Sequence, residues 1–117
     1  MASIKITLLG HASFRLEPDT GEVIYFDPWL DENPTCGLKV QDVDRADVVI
    51  ATHGHNDHVG GASYLQETYG ARILISGPDW DLALSDERPR PTRDMVVTDG
   101  QELTLGDTTV TLALTPG

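Results

Sequence analysis

Two short apolar runs on either side of a helical segment constrain the fold of this chain most. Residues 47–52 form a continuous run typical of a strand covered on both faces, and residues 72–76 supply a second one. Between them, residues 62–69 suit a short helix, and Gly70 follows where a helix end favours a left-handed residue. A strand, a helix and a second strand in this order predict a βαβ unit, so we expect a sheet with a helix on its face.

The chain on either side of this unit alternates between apolar and polar residues, a pattern that favours strands. These predicted strands lie at residues 4–8, 14–16, 23–26, 95–98, 103–105 and 110–114. Residues 79–84 suit another helical segment, and residues 28–45 read as a long loop with one helical turn. We therefore expect an α/β fold with a mixed, mostly antiparallel sheet and flanking helices.

A cluster of histidines follows the first apolar run directly. Three of the four histidines in the chain, His53, His55 and His58, lie within six consecutive positions, and Asp57 precedes the last of them. In an extended turn, His53 and His55 project to the same side and can bind one cation. Asp57 and His58 lie past the turn and can face a second cation roughly 3.5 to 4 Å from the first.

The residue types of this cluster favour metal binding over a plain surface loop. Neutral imidazole and carboxylate are the donors that zinc prefers where thiolates are absent, and manganese and iron accept them too. A solvated, histidine-rich loop with no ligand role is the alternative, but such a loop has no reason to concentrate imidazoles behind a buried strand. We expect zinc, as one or two ions.

This string, with the apolar run before it, resembles the metal-binding signature of the metallo-β-lactamase superfamily. The resemblance implies that His53 and His55 bind one metal, and that Asp57 and His58 bind a second. It also implies that Asp57 is the catalytic residue that positions the bridging water.

The resemblance extends over the rest of the chain. The segments Gly10-His11-Ala12-Ser13-Phe14, Phe26-Asp27-Pro28-Trp29-Leu30 and Asn33-Pro34 look like the cytoplasmic metal-dependent hydrolases related to ascorbate-6-phosphate lactonase. Residues 99–107 and 114–117 are more similar to the branch that contains glyoxalase II and lactamase-like hydrolases.

The resemblance also suggests roles for three residues outside the histidine cluster. Asp27, at a strand end, would orient the histidine loop from behind the metal. His11 is a candidate for contact with substrate or metal, and a hydrogen-bonded structural histidine is the equal alternative. Trp29 is a candidate for the pocket mouth, with plain packing as the alternative.

The same resemblance implies that residues 1–117 are an incomplete domain. In the second branch, Thr-Pro-Gly is followed by a histidine that completes the first metal site, and this chain ends at Gly117. We therefore expect the N-terminal half of an αββα sandwich, inactive or weakly active by itself, with the remaining metal ligands in the absent half.

The predicted activity is hydrolysis by metal-activated water of a small ester-type substrate, such as a lactone, a thioester or a phosphate ester. A non-catalytic metal-binding half-domain and a lactamase-like hydrolase are the alternatives. Bound cations would make the pocket locally positive, so the small-molecule substrate can be anionic although the chain carries a net charge of −11.

The composition indicates which binding partners and which cellular compartment to expect. Lys and Arg number 8 against 19 Asp and Glu, which disfavours nucleic acid as a partner. No apolar run approaches the roughly 20 residues of a membrane span, so no membrane partner is expected. The single cysteine, Cys36, excludes an intrachain disulfide and a multi-cysteine zinc site. With no export signal visible, we expect a cytoplasmic protein.

Overall fold

The computed structural model describes residues 4–31, 33–37, 39–52, 58, 60–85, 91–105 and 108–113. Within these residues, six strands form one sheet in the order β1 to β6, and two more form a hairpin. The strands are β1 (Ile4–Gly10), β2 (Ser13–Pro18), β3 (Ile24–Phe26), β4 (Val48–Ile50), β5 (Arg72–Ile75), β6 (Met95–Val96), β7 (Gln101–Leu105) and β8 (Thr108–Leu112). The helices are α1 (Ala62–Tyr69) and α2 (Gly77–Ser85), and a 3₁₀ turn spans Val40–Asp42.

The sheet is mixed, as predicted. Strands β1, β2 and β3 pair antiparallel, and so do β7 and β8, whereas β3, β4, β5 and β6 pair parallel. Most of the paired residues lie in the antiparallel ladders. The predicted βαβ unit is β4-α1-β5, and Gly70 ends α1 in the left-handed conformation with φ of 67°. The predicted α/β class with helices flanking a mixed sheet is confirmed.

The predicted bounds of the strands and of α2 differ from the observed ones by one or two residues, and two elements illustrate this. The second helix is longer than predicted, because it begins at Gly77 and continues to Ser85. The strand predicted at residues 95–98 is shorter and spans only Met95–Val96.

Helices and the long loop cover one face of the sheet. Because side chains alternate along a strand, Val49, Ile73 and Ile75 all point to this face and are fully buried there. Leu65 of α1 and Trp80 of α2 pack against them. The indole Nε1 of Trp80 also donates a hydrogen bond to the Met95 carbonyl at 2.8 Å, which fixes α2 to β6.

The β7-β8 hairpin packs against the opposite face. Its Leu112 lies in a cluster with Ile24, Ile50 and Leu74 from the centre of the sheet. Beyond the hairpin, this same face of β1 and β2 is exposed. We call it the exposed strip, and it consists of Ile4, Ile6, Leu8 and Phe14, which are 37–64% exposed.

Neither helix in the described part of the chain has the length and hydropathy that a membrane span requires. That residues 1–117 form an incomplete domain stays a prediction.

Candidate metal centre

Several chain segments meet at one edge of the sheet because their strands run in the same direction. Strands β1, β3 and β4 are mutually parallel, so their carboxyl ends lie at the same edge. His11 follows β1, Asp27 follows β3 and Thr52 follows β4 by two residues. The carboxyl ends of parallel strands are where open α/β sheets place their ligand sites.

Asp27 is the most firmly held polar side chain at this edge. The residue is 3% exposed. Its Oδ1 accepts a hydrogen bond from the backbone N–H of Thr52 at 2.7 Å, and its Oδ2 accepts one from the Thr52 hydroxyl at 2.6 Å. The same Oδ2 lies 3.1 Å from Nδ1 of His58. Asp27 therefore joins the end of β4 to the histidine that precedes α1.

The contact with Asp27 fixes the tautomer of His58. A carboxylate only accepts hydrogen bonds, so Nδ1 of His58 carries the proton and donates it. Nε2 is then the nitrogen with which His58 would bind a cation. The side chain of His58 is 20% exposed, so it is neither sealed in the core nor fully in solvent.

The backbone of Asp27 has an energetically unfavourable conformation, which hydrogen bonds from neighbouring residues hold in place. Its φ is 48°, in the left-handed region, which costs about 1 to 3 kcal/mol for a non-glycine residue. Its N–H donates to the Ile50 carbonyl at 3.0 Å. Its carbonyl accepts hydrogen bonds from the Ser13 hydroxyl at 2.5 Å and from the Trp29 N–H at 2.8 Å. The hydrogen bonds on both sides of the residue hold the carboxylate in place.

His11 lies beside these residues, in the turn between β1 and β2. His11 is exposed to solvent, and its φ is 54°. The centroid of its ring is 5.2 Å from that of Trp29, with an interplanar angle of 76°, and 5.8 Å from that of His58, with an angle of 64°. Both are edge-to-face contacts. The structure therefore brings His11, Trp29, Asp27 and His58 together.

The turn that carries His11 is clamped to the long loop. Nδ2 of Asn33 donates to the Gly10 carbonyl at 3.1 Å, while its Oδ1 accepts hydrogen bonds from the N–H and the hydroxyl of Thr35. Gly10 has φ of 122°, and a Cβ added there would lie 2.6 Å from Oγ1 of Thr35. Only glycine fits between the turn and the loop at this position.

Trp29 is half-buried, and its ring packs against His11. Its Nε1 is buried and has no hydrogen-bond partner among the described residues. The contact is compatible with both interpretations of Trp29, a pocket wall or plain packing, so its role stays a prediction.

A groove of about 390 Å³ borders the carboxylate on the face of the exposed strip. Asp27 and Thr52 line it together with apolar residues. The apolar lining consists of Ala12, Phe14, Leu16 and Phe26.

Three of the four predicted metal ligands, His53, His55 and Asp57, lie outside the described residues. Of the predicted set, His58 is the one whose surroundings can be stated. Within the described ranges, no group of three or more His, Cys, Asp and Glu side chains could hold a metal ion. The ligand roles of all four residues stay predictions.

Sequence reasoning assigned no role to Thr52, Ser13 or Asn33. Each nevertheless lies in a segment that the sequence analysis names. Thr52 precedes the first histidine of the cluster, Ser13 lies in the Gly10–Phe14 motif, and Asn33 lies in Asn33-Pro34. Their hydroxyl and amide groups bond to partners 14 to 25 residues away. Residue type does not reveal these partners, because the known preference of Ser, Thr and Asn is for backbone groups close to them along the chain.

Comparison with known proteins decides the family. The sequence model that describes the metallo-beta-lactamase superfamily matches residues 6–117.

The chain belongs to the metallo-beta-lactamase superfamily.

Curated proteins named UPF0173 metal-dependent hydrolases are similar to part of this chain. The one from Koribacter versatilis is 38% identical over 74 residues, which is 63% of this chain and 32% of that protein. The one from Pyrococcus furiosus is 35% identical over 80 residues, 68% of this chain and 33% of the relative. The match thus spans about a third of the length of these curated relatives.

Solved structures share the fold of this chain. A metallo hydrolase from Ignicoccus hospitalis superposes with a TM-score of 0.67 at 28% identity, over 92% of this chain and 44% of that one. A metallo-beta-lactamase from Cronobacter sakazakii gives a TM-score of 0.70 at 28% identity, over 96% of this chain and 52% of that one. The chain spans about half the length of these structures.

Proposed function

We propose that this protein is a metal-dependent hydrolase in which metal-activated water attacks a small ester-type substrate: a lactone, a thioester or a phosphate ester. The observation that carries the proposal is the contact of Asp27 with Nδ1 of His58. A metal-ligating histidine usually donates its other ring N–H to a carboxylate or a carbonyl, which orients the ring and raises its basicity. The names of the curated relatives and the superfamily membership support metal-dependent hydrolysis.

His53 and His55 are the proposed ligands of one cation, and Asp57 and His58 those of a second. This set supplies imidazole nitrogens and a carboxylate, which suit zinc and also accept manganese or iron; zinc is the metal we propose. The described part of the site fits such an ion, because Asp27 leaves Nε2 of His58 as the coordinating nitrogen. When bound, the ion lowers the pKa of a water molecule toward about 7 and polarises the substrate's carbonyl or phosphoryl oxygen.

The chain's own residues prepare the site for this chemistry. Asp57 is the proposed residue that positions the attacking water. Asp27 holds His58 in one tautomer, and the two hydrogen bonds from Thr52 hold Asp27. Because the carboxylate is buried and accepts three hydrogen bonds, the ring it holds does not need to reorganise when a metal arrives.

The proposed substrate is a small molecule, which can be anionic despite the net charge of −11. The acidic balance disfavours nucleic acid as a substrate. The single cysteine is consistent with a reducing compartment, so we place the reaction in the cytoplasm.

The test of this proposal combines metal analysis with a panel of substrates. Elemental analysis of the whole protein, with the half-domain proposed to hold the remaining ligands, should find zinc. The zinc-loaded protein should turn over the lactone, the thioester or the phosphodiester in a panel that also contains a β-lactam, whereas residues 1–117 alone should be inactive or weakly active. The variant His58→Ala should lose zinc and turnover together, whereas Tyr64→Ala, which removes an exposed ring of α1, should retain both.

Each other outcome of this experiment selects an alternative. Stoichiometric metal with no turnover of the whole panel would contradict the hydrolase and favour a non-catalytic metal-binding domain. Turnover of the β-lactam alone would favour a lactamase-like hydrolase.

A further inference from the structure

We propose that His11 contacts the substrate, donating a hydrogen bond from its imidazole to a substrate oxygen bound next to the metal. The inference rests on the proposed function and adds to it a substrate-binding residue outside the histidine cluster. It depends on three observations about His11: its distance from His58, its backbone conformation and the way its turn is held.

The first observation is the short distance between the rings of His11 and His58. The ring centroids of His11 and His58 lie 5.8 Å apart, and His11 is the more exposed of the two residues. A cation lies about 2 Å from the imidazole nitrogen that binds it, and a substrate oxygen lies a similar distance beyond. These lengths are comparable to the separation of the two rings, so a substrate oxygen on a cation held by His58 can lie within hydrogen-bond range of the His11 imidazole.

The second observation is the backbone of His11. Its φ of 54° is uncommon for a residue with a side chain, and glycine would adopt it at lower cost. Within the described residues, His11 and Asp27 are the non-glycine residues with positive φ, and both lie at this edge of the sheet. Strained residues of this kind cluster at functional sites. A turn that needed only to reverse the chain would not require an imidazole here.

The third observation is the clamping of the turn on both sides of His11. Before it, the Gly10 carbonyl accepts the hydrogen bond from Asn33. After it, the buried Ser13 hydroxyl donates to the carbonyl of Asp27 and accepts a hydrogen bond from the N–H of Trp29. The loop that carries Asp27 thus sets the position of His11, and through Asp27 it also positions His58. A site built to contact a ligand needs its side chains held this way before the ligand arrives.

Trp29 adds a wall on another side of the imidazole. The edge-to-face contact at 5.2 Å restricts the rotation of the His11 ring. A restricted ring loses less conformational entropy when it forms a hydrogen bond with a ligand.

The test uses inorganic phosphate as a probe of the oxygen-binding site in the zinc-loaded protein. Calorimetry should give a phosphate dissociation constant about tenfold or more higher in His11→Ala than in the wild type, the loss expected for a hydrogen bond to a charged ligand. His11→Asn should recover part of the affinity, because its amide still donates. Zinc affinity, measured by competition with a chelator, should stay within about twofold in both variants. Tyr64→Ala is the matched control for removal of an exposed ring and should leave both affinities unchanged.

Three results would overturn the inference. A zinc-loaded wild type that does not bind phosphate, or a His11→Ala variant that binds it equally well, would show that His11 makes no such contact. A large loss of zinc affinity in His11→Ala would make His11 a metal ligand instead.

The substrate panel separates this inference from the proposed function. Ester turnover that is unchanged in His11→Ala, with phosphate affinity unchanged too, would refute the contact and leave the hydrolase standing. Phosphate binding that depends on His11, in a protein that turns over no ester, would refute the hydrolase and leave the contact standing.

Discussion

Oδ2 of Asp27 lies 3.1 Å from Nδ1 of His58, although 31 residues separate the two along the chain. The separation is bridged because β3 and β4 are parallel neighbours, so the residues that follow them share one edge of the sheet. The carboxylate also accepts two hydrogen bonds from Thr52, which leaves it little freedom to turn away. Asp27 therefore orients His58, the proposed metal ligand that lies among the described residues.

Replacement of this carboxylate by an amide tests its effect on the tautomer. In Asp27→Asn, Oδ1 can keep the bond from the Thr52 N–H, which places the NH₂ group against Nδ1 of His58. That nitrogen must then accept, so the proton moves to Nε2 and blocks metal binding. We expect zinc affinity to fall about 10- to 100-fold, measured by chelator competition. Asp81→Asn, at a side chain that is 76% exposed, is the control and should change nothing.

The buried hydroxyl of Ser13 supports the strained backbone of Asp27. In Ser13→Ala, the Asp27 carbonyl loses a partner in a site that is 0% exposed. The expected loss in free energy of unfolding is about 1 to 3 kcal/mol, by urea titration, with a smaller loss of zinc affinity. Ser85→Ala removes an exposed hydroxyl that bonds to the Leu82 carbonyl and should cost less than about 0.5 kcal/mol. Equal effects of the two substitutions would contradict the role given to Ser13.

Gly10 should be irreplaceable for steric as well as conformational reasons. Gly10→Ala places a Cβ 2.6 Å from Oγ1 and 2.9 Å from the backbone of Thr35, at φ of 122°. Gly100→Ala meets open space at φ of 78°, so it reports backbone strain alone. We expect about 1 kcal/mol of destabilisation at Gly100 and at least about 2 kcal/mol more at Gly10, because the turn must also shift. A similar cost at both positions would mean that the contact with Thr35 is not tight.

The Arg72–Asp94 pair should make stability depend on pH in the acid range. The Arg72 guanidinium, through hydrogen bonds at 2.8 and 2.9 Å, and the Ile73 N–H hold the pKa of Asp94 below its ordinary value. A carboxyl whose pKa is lower in the folded state stabilises the fold above its unfolded pKa of about 3.9 and loses that contribution as the pH falls through the folded value.

The measurement for this pair is the difference in Tm between wild type and Asp94→Asn across pH. At neutral pH the variant should be less stable by about 1 kcal/mol, because Arg72 is largely exposed and solvent screens the pair. The difference in stability between wild type and variant should be constant above about pH 5 and should disappear as the pH falls below 4. A difference that stays constant down to pH 2 would show that Asp94 acts through packing and not through its charge.

Much of the fold could be predicted from the sequence, because periodicity is a local property. The alternation of Ile4, Ile6 and Leu8 and the apolar run at residues 47–52 each predicted a strand that the structure contains. The helix at Ala62–Tyr69 was predicted to the residue by its amphipathic pattern and its terminal glycine.

The candidate site was only partly predictable, because its contacts depend on the register between distant segments. Asp27 was expected near the histidines from its place at a strand end, but nothing local shows that Thr52 would bind both of its oxygens. The positive φ of His11 and Asp27 has only a weak signal in residue type, since His and Asp adopt it more often than most residues but much less often than glycine. The hydrogen bond from Ser13 depends on how the β1-β2 turn meets the long loop, which only the assembled sheet determines.

The proposed metal centre is best tested by the ring nitrogen spectrum of His58 during zinc titration, recorded with ¹⁵N-labelled histidine. We expect a proton on Nδ1 before and after zinc is added, and a shift of Nε2 that saturates at stoichiometric metal. A His58 ring that zinc leaves unchanged, or that binds zinc through Nδ1 and breaks its contact with Asp27, would contradict the proposed metal centre.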